Sequence, residues 1–441
     1  MKRIGRRGFV VTSLGAAAAA AAAPKKAFAA SQRISLGIVG LGGRGAFWVR
    51  ELARREDVDI TYLCDVDSTR FERAQGTLDG AGRSAPKLVG DFRRILDDPD
   101  VDVLLVATPM HWHALPTILA CQAGKDVYVE KPGFLNPWEG RQAIAAARKY
   151  RRVVQVGLQN RSAPYVHSAR AHFDSGQLGE LHLIRVMNMN EDRMRPKGEP
   201  VPVPPTLDWD AWCGPAPVIP YSPGRWYLNR FDYSPGFNGE DAVHQLDLMR
   251  YVTGIGTPET VVHAGGVRQL KDGRDIPDTQ LATFEDPGGL TLLFEATLWA
   301  DYVRETPTVI RDGDEFPNWL FNGTKIELFG SEGMMLVGRM GGGWQAFDRK
   351  GKLVDSSYGR QASSEHMTNF LECVRTRQTP NADIEAIYPS TLLVHLANVS
   401  YRTGNRKLAY DAGTGWIVDD PEANELMKRT GRAPWVIPDE V

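Results

Sequence analysis

Apolar and polar positions follow two rhythms over the first third of the chain. Short β-branched runs bounded by polar turns recur at Ser35–Val39, Ile60–Asp65, Val103–Ala107, Asp126–Glu130 and Arg152–Val156. Between them apolar residues return every three or four positions, the helical period. These helices are expected over Gly45–Arg54, Ser68–Leu78, Ala114–Ala123 and Pro137–Arg148, with a shorter one over Phe92–Leu96 that ends near Asp97-Asp98-Pro99-Asp100. Strand–helix–strand order predicts a parallel sheet with right-handed crossovers. Such sheets bind ligands beyond the carboxyl ends of their strands, where this chain carries Asp65, Thr108-Pro109 and Glu130-Lys131-Pro132.

The pattern changes after about residue 152. Residues 195–237 are rich in Pro, Gly, Trp and Tyr and read as a long ordered loop forming part of a pocket wall. From Thr260 to about Val337 alternating segments recur at Val261–His263, Gln280–Glu285, Leu290–Trp299 and Thr324–Phe329. Alternation of this kind predicts a mostly antiparallel sheet with one covered face. Glu365–Arg375 and Ile387–Tyr401 read as helices. A large sheet open on one face needs cover, which predicts a homo-oligomer through that face.

The first 29 residues stand apart from these rhythms. Lys2, Arg3, Arg6 and Arg7 precede a weakly apolar, Ala-rich run from Val10 to Ala23, and Ala27-Phe28-Ala29 offers a small-x-small cleavage site. This reads as an export signal, and Arg6-Arg7-Gly8-Phe9 as its twin-arginine form. Residues 1–29 are therefore expected to be removed, leaving a periplasmic or secreted protein. No later run is apolar and long enough for a membrane helix.

The strand Ser35–Val39 ends in Gly40-Leu41-Gly42-Gly43-Arg44-Gly45, and Asp65 closes the next strand 20 residues beyond Gly45. Glycines at this spacing let the backbone turn tightly, approach a pyrophosphate and pack a helix against the sheet. The helix N-terminus then faces the phosphates, and an acid at that distance meets the ribose 2′-hydroxyl. The reading is a nicotinamide dinucleotide site in a Rossmann domain over residues 30–152, followed by a second domain over 153–441. Asp65 repels a 2′-phosphate and favours NAD; Arg44 and Arg70 leave NADP open.

The 441 residues carry 52 basic and 54 acidic side chains, a formal net charge of −2, with signs interspersed. No basic stripe points to nucleic acid. The four cysteines, Cys64, Cys121, Cys213 and Cys373, form no C-x-x-C pair, which argues against zinc and thioredoxin-like chemistry. His111-x-His113 has no nearby carboxylate or Cys in sequence, so no metal site is expected.

Further motifs follow: Ala107-Thr-Pro-x-x-x-His113, Glu130-Lys131-Pro132, Gln155-Val-Gly-x-Gln159-x-Arg161, His244-x-x-Asp247, Asn369-Phe-Leu-x-x-Val-Arg375 and Leu396-Ala-Asn-x-x-Tyr-Arg402-Thr-Gly404. Taken together over essentially all of the mature chain, they resemble the Gfo/Idh/MocA oxidoreductase family, in its exported glucose–fructose oxidoreductase type. The resemblance implies a Rossmann domain followed by an α/β domain on a large open sheet. It also implies a bound nicotinamide cofactor and a sugar, cyclitol or glycoside substrate. A protein exported with its cofactor must regenerate it in place, which predicts tightly held NAD and a redox-neutral cycle.

Within that resemblance, Gly40, Leu41, Gly42, Gly43, Arg44, Gly45, Asp65, Thr108, Pro109, His113, Glu130, Lys131 and Gln159 are the expected cofactor residues. Lys131 beside a positive nicotinamide ring can stabilise an alkoxide, and His244 can take a hydroxyl proton as hydride leaves the same carbon. Glu240, four residues before His244, would stack on it across a helical turn and orient it. Many relatives carry Asp there. Asp247 reads as a helix or core hydrogen-bond partner. Lys131, Arg161, Arg225, Trp226, Tyr227 and His244 are the candidate substrate contacts, although Trp112, Trp226 and Tyr227 read equally as packing and the two arginines as structural. A redox-assisted glycosidase is a second reading. The NAD-using α-N-acetylgalactosaminidases resemble that scheme, but Asp241-Ala-Val-His244 stands where they carry Tyr-x-x-His. A third is a non-catalytic sugar-binding protein, against which Lys131 and His244 both argue.

Overall fold

A computed structural model describes residues 33–190, 195–300, 303 and 306–441; the expected export signal lies outside them. The first layer runs β1 (Ile34–Val39), α1 (Gly43–Ala53), β2 (Val58–Cys64), α2 (Thr69–Gly80), β3 (Lys87–Val89), α3 (Arg93–Leu96), β4 (Val103–Val106), α4 (Ala114–Gln122), β5 (Asp126–Val129), α5 (Pro137–Lys149) and β6 (Val154–Val156). The sheet order is β3-β2-β1-β4-β5-β6 and every pairing is parallel. Strand order therefore reverses direction between β1 and β4, which opens a crevice at their carboxyl ends.

Alternation along these strands divides the core. Ile34, Leu36, Ile38, Val103, Leu105 and Tyr128 pack with Trp48 and Leu52 of α1 and Leu78 of α2. Leu104, Val106, Val127 and Val129 point the other way, toward α4 and α5. Each side chain of this size contributes about 1.5–3 kcal/mol on burial.

The chain continues through α6 (Pro164–Asp174), β7 (Leu181–Met189), α7 (Trp209–Cys213), α8 (Val243–Thr253), β8 (Thr260–Gly266), β9 (Thr279–Glu285), β10 (Thr291–Thr297), α9 (Thr308–Arg311) and β11 (Lys325–Gly330). It ends with β12 (Gly333–Gly338), β13 (Trp344–Asp348), β14 (Leu353–Ser357), α10 (Ser363–Thr376), α11 (Ile384–Arg402), β15 (Leu408–Asp411), β16 (Trp416–Ile417) and α12 (Pro421–Leu426). These strands form one ten-stranded sheet, β14-β13-β12-β11-β7-β10-β9-β8-β15-β16. It is antiparallel except for β7 beside β10.

On one face Ile184, Val186, Phe294, Phe284 and Leu328 pack with α6, α8 and α11. The other face carries charge. Arg185 lies 2.5 Å from Glu295 and Lys325 lies 3.0 Å from Glu327, while Leu281 is 42% exposed. Helix α10 does not stay with this sheet: Met367, Phe370 and Leu371 pack into the α1 side of the first one.

Strands β3, β7 and β12 to β16 were not anticipated in the reading of the sequence. The short edge strand β3 and the exposed strand β14 lack an apolar face to show in the pattern, and β7 hides its alternation behind outward Arg185 and buried Asn188. Among the described residues no helix is long and apolar enough to cross a membrane.

Candidate active site

The carboxyl ends of β1, β2, β4 and β5 open onto a cleft of about 1310 Å³ that runs from Asp65 and Asp67 to Lys131, His244 and Arg339. Gly40 takes φ +85°, and a Cβ there would stand 2.7 Å from the Ala107 carbonyl oxygen. A Cβ on Gly45 would stand 1.8 Å from the Gly40 carbonyl oxygen, whereas nothing lies within 4 Å of one on Gly42 or Gly43. The loop is thus closed against the sheet and open toward the cleft. Gly42 caps α1 without a side-chain acceptor, so the free N–H groups of the first turn are available to an anion.

Asp65 follows β2. Its carboxylate accepts from Leu41 N at 2.7 Å and Asp67 N at 2.9 Å, and burial raises its pKa. It lines the cleft where a ribose would lie. Arg44 does not turn toward a 2′-phosphate: it lies 2.6 Å from Glu130 and its guanidinium covers the Phe47 ring at 4.4 Å. Arg70 pairs with Asp67 at 3.2 Å. These residues fit NAD. Buried Thr108 Oγ1, His113 Nδ1 and His244 Nδ1 have no hydrogen-bond partner within the protein and lie on residues that line the cleft, so each can take a polar group brought there.

The floor of the cleft is ionic. Glu130 accepts from Trp48 Nε1 at 2.7 Å as well as from Arg44. Burial opposes its charge, but Arg44 and Trp48 hold its pKa below the ordinary carboxylate value. Glu130 therefore meets the cofactor space from beneath, braced by α1. Gln159 donates to the Tyr128 hydroxyl at 3.2 Å and lines the same space. His113 Nε2 meets the Thr108 carbonyl at 3.0 Å, and burial pushes its pKa down to about 4.

Lys131 precedes Pro132 and is half-buried; its ammonium donates to the Glu240 carbonyl oxygen. Burial lowers its pKa, against the pull of Glu240, Asp241 and Glu130. His244 stands in the first turn of α8, 4% exposed. Burial first, then the positive charges of Arg339, Lys131, Arg44 and Arg311, hold its pKa well below 6.5. It is neutral at physiological pH and able to accept a proton.

Two expected roles are corrected. Arg161 does not reach the cleft: it grips Asp247 through Nε and Nη2 at 2.7–3.0 Å, with Ser390 Oγ on the same carboxylate at 2.8 Å. It is a buried structural ion pair joining the segment after β6 to α8. Glu240 forms no hydrogen bond to His244; its carboxylate meets Arg225 at 2.9 Å and Arg195 at 3.9 Å. The cause is local. Asn238–Ala242 is a π-helical turn, and its wider spacing breaks the stacking that four residues give in an α-helix.

Arg225, Trp226 and Tyr227 do line the cleft. Trp226 is also packing, since its indole donates to the Ser222 carbonyl at 2.8 Å within a cluster containing Tyr233. Trp112 lines the cleft too, with Nε1 on the Trp212 carbonyl at 3.0 Å.

Sequence reasoning missed two contributions. Arg339 enters from the turn between β12 and β13, where the run Gly338-Arg-Met-Gly-Gly-Gly343 was the available signal. Leu207 crosses the far end as a strap: Ser68 N donates to Thr206 O and Asp208 N to Val66 O, both at 2.9 Å, around an antiparallel bridge of Asp67 with Leu207. Among the described residues no group of three or more His, Cys, Asp or Glu side chains could hold a metal.

Comparison with known proteins agrees with this geometry. Residues 34–158 match the model of an oxidoreductase family with an NAD-binding Rossmann fold, residues 166–336 the GFO/IDH/MocA C-terminal domain, and residues 355–437 the family's C-terminal alpha/beta domain. An uncharacterized oxidoreductase of Bacillus subtilis, YrbE, is 24% identical over 69% of this chain and 73% of its own length. A glycosyl hydrolase family 109 protein of Stenotrophomonas maltophilia is 34% identical over 28% of this chain and 29% of its own. A solved levoglucosan dehydrogenase in complex with NADH and levoglucosan superposes with a TM-score of 0.64 at 20% identity, covering 86% of this chain and 99% of that one, and shows the shared fold. With a glycine turn, an acid and an open helix end that fit the dinucleotide, and with all three family models matched in order, the chain belongs to the GFO/IDH/MocA family of NAD-binding oxidoreductases.

Proposed function

We propose that this chain oxidises a secondary hydroxyl of a sugar, cyclitol or glycoside. The observation that carries the reading is one cleft holding the glycine loop at one end and, at the other, a neutral buried His244 beside Lys131, walled by Arg225, Trp226 and Tyr227. Bound NAD supplies the hydride acceptor. His244 takes the hydroxyl proton as the C–H electron pair leaves the same carbon and the carbonyl forms. Lys131, with its positive charge desolvated, stabilises the developing alkoxide. Trp226 and Tyr227 present flat apolar surface to the faces of a sugar ring. Arg225, held by Glu240, faces the hydroxyls.

The glycine loop, Asp65 and the strap from Thr206 to Asp208 would hold the cofactor through a redox-neutral cycle. The strap from Thr206 to Asp208 supports this, because it lies across the Asp65 end through which an adenosine would leave. Export of the folded, loaded protein by a twin-arginine signal over residues 1–29 fits the same cycle, as does assembly into homo-oligomers through the open face of the large sheet. The mature protein, with no cofactor added, is titrated with sugars and glycosides while the reduced-nicotinamide absorbance band is followed. A rise names the substrate class. A denatured sample that releases no nicotinamide overturns cofactor retention, and silence toward every sugar with NAD supplied overturns the oxidoreductase reading. A monomer by light scattering overturns the oligomer.

The relative in glycosyl hydrolase family 109 favours a second reading, transient oxidation followed by elimination of an aglycone and re-reduction. Against it, Asp241 occupies the place of that group's tyrosine and is engaged by Arg339. Release of nitrophenol from nitrophenyl glycosides without added NAD decides between the two.

A further inference from the structure

We propose that Arg339 is a positioning residue for the hydride-transfer site: its guanidinium clamps Asp241 in the turn that leads into α8 and sets a permanent positive charge beside both Lys131 and His244. The inference rests on the assignment of proton transfer to His244 and of alkoxide stabilisation to Lys131.

Three observations carry it. First, the arm is rigid. Gly338 N donates to Gly343 O at 2.9 Å, and the Tyr165 hydroxyl donates to Gly338 O at 2.9 Å while accepting from Gly341 N at 3.1 Å. A Cβ on Gly341 would stand 2.7 Å from Arg311 Cα, and one on Gly343 would stand 2.0 Å from Ser357 O. The turn is held by these bonds, leaves no room for side chains at Gly341 and Gly343, and delivers Arg339 into the cleft.

Second, the clamp is buried. Arg339 and Asp241 are 7% and 11% exposed in their side chains, with Nη1 3.1 Å from Asp241 Oδ2 and the second nitrogen also on the carboxylate. Asn188, with its amide nitrogen toward Asp241, donates to Oδ2 at 2.9 Å. A bidentate guanidinium pair of this kind fixes orientation as well as charge. The clamped residue sits three positions before His244, so it ties the start of α8 to the large sheet.

Third, the charge lies where it acts. The positive charges that act on His244 are Arg339 from the β12–β13 turn, Lys131 after β5, Arg44 on α1 and Arg311 on α9, the first three lining the same cleft. Glu240 and Asp241 stand in its own lead-in turn, and Glu130 lies beneath. Behind burial, Arg339 is the foremost charge that keeps His244 unprotonated, and it also lowers Lys131. A clamp on Asp241 alone would be architecture; a cation shared by both reacting groups is tuning.

The test is the pH profile of kcat/KM for the sugar that responds, measured on holoenzyme. In R339M the acid limb moves up toward 6.5 and the basic limb up toward 10.5, the ordinary values of the two groups, with kcat about 10- to 100-fold lower from lost alignment. R339K retains the charge and returns both limbs. D241N removes a negative charge that raises Lys131, so its basic limb moves down. If R339M does not fold, R339Q, polar but uncharged, takes its place: both limbs move up in it and stay at their wild-type positions in R339K. Unmoved limbs in every folded variant overturn the proposal. Full activity of both K131M and H244N would instead overturn the assignment beneath it.

Discussion

At the residue scale the site separates side chains that touch the reaction from those that hold it. Replacing His244 with Asn or Lys131 with Met removes the proton acceptor or the alkoxide partner, and each is expected to lower kcat by about 10²–10⁴-fold while the enzyme still releases NAD on denaturation. Arg161 behaves in the opposite way. Its pairing with Asp247 is dry, and removing one partner of a buried pair costs about 3–5 kcal/mol. R161M should therefore lower the unfolding free energy by that amount, read as a lower denaturant midpoint at unchanged slope, while leaving the sugar KM unchanged; a raised KM with unaltered stability would return Arg161 to the substrate. Lys131 and His244 were readable because each sits in a short motif at a strand end or helix start. Arg161 misled because its partner lies 86 positions away, beyond any local pattern. Glu240 misled because nothing in Asn238-Gly-Glu-Asp-Ala242 announces a π turn rather than an α turn.

Elements were legible where one rhythm ran uninterrupted. Strands β1, β4 and β5 are largely apolar and buried on both faces, α1 keeps a single apolar stripe, and α4 is buried nearly all round. The strap from Thr206 to Asp208 was not legible: two hydrogen bonds and one bridge form between segments that are each irregular, and Pro204-Pro205 reads only as loop. The pairing of Asp67 with Leu207 is the non-hydrogen-bonded kind, in which side chains approach closely and Cα atoms fall within disulfide reach. The double variant D67C/L207C, oxidised, should therefore slow exchange of bound NAD for a fluorescent analogue at least about tenfold (a 1.4 kcal/mol barrier), and reduction should restore it. Equal exchange rates in both redox states would show that the cofactor leaves by another path.

At the scale of the whole molecule, the two sheets are one structure because later segments return to the first. Helix α10 covers the α1 side of the parallel sheet, and its His366 reaches back through Nε2 to Val156 O at 2.9 Å and through Nδ1 to Ser162 Oγ at 2.8 Å. His111 meets the Trp212 carbonyl at 2.9 Å, and His395 of α11 packs 5.7 Å from the Phe134 ring. Each of these seams is closed by a buried histidine. Burial pushes His366 down to about 4, and His111 and His395 to about 3, from an ordinary 6.5. The unfolded chain binds these protons from pH 6.5 downward while the native protein refuses them, so the stability they contribute is whole above 6.5 and is lost as pH falls toward 4 and 3. The slope is at most about 1.4 kcal/mol per histidine per pH unit. Thermal unfolding followed between these limits should show Tm falling from pH 6.5, well before the carboxylates titrate, as a single transition because the seams join both sheets. In H395Q, which keeps a polar side chain but cannot titrate, the fall should be shallower by one group's share. A Tm independent of pH down to 4, or two separate transitions, would mean that the sheets unfold independently and the histidines do not couple them.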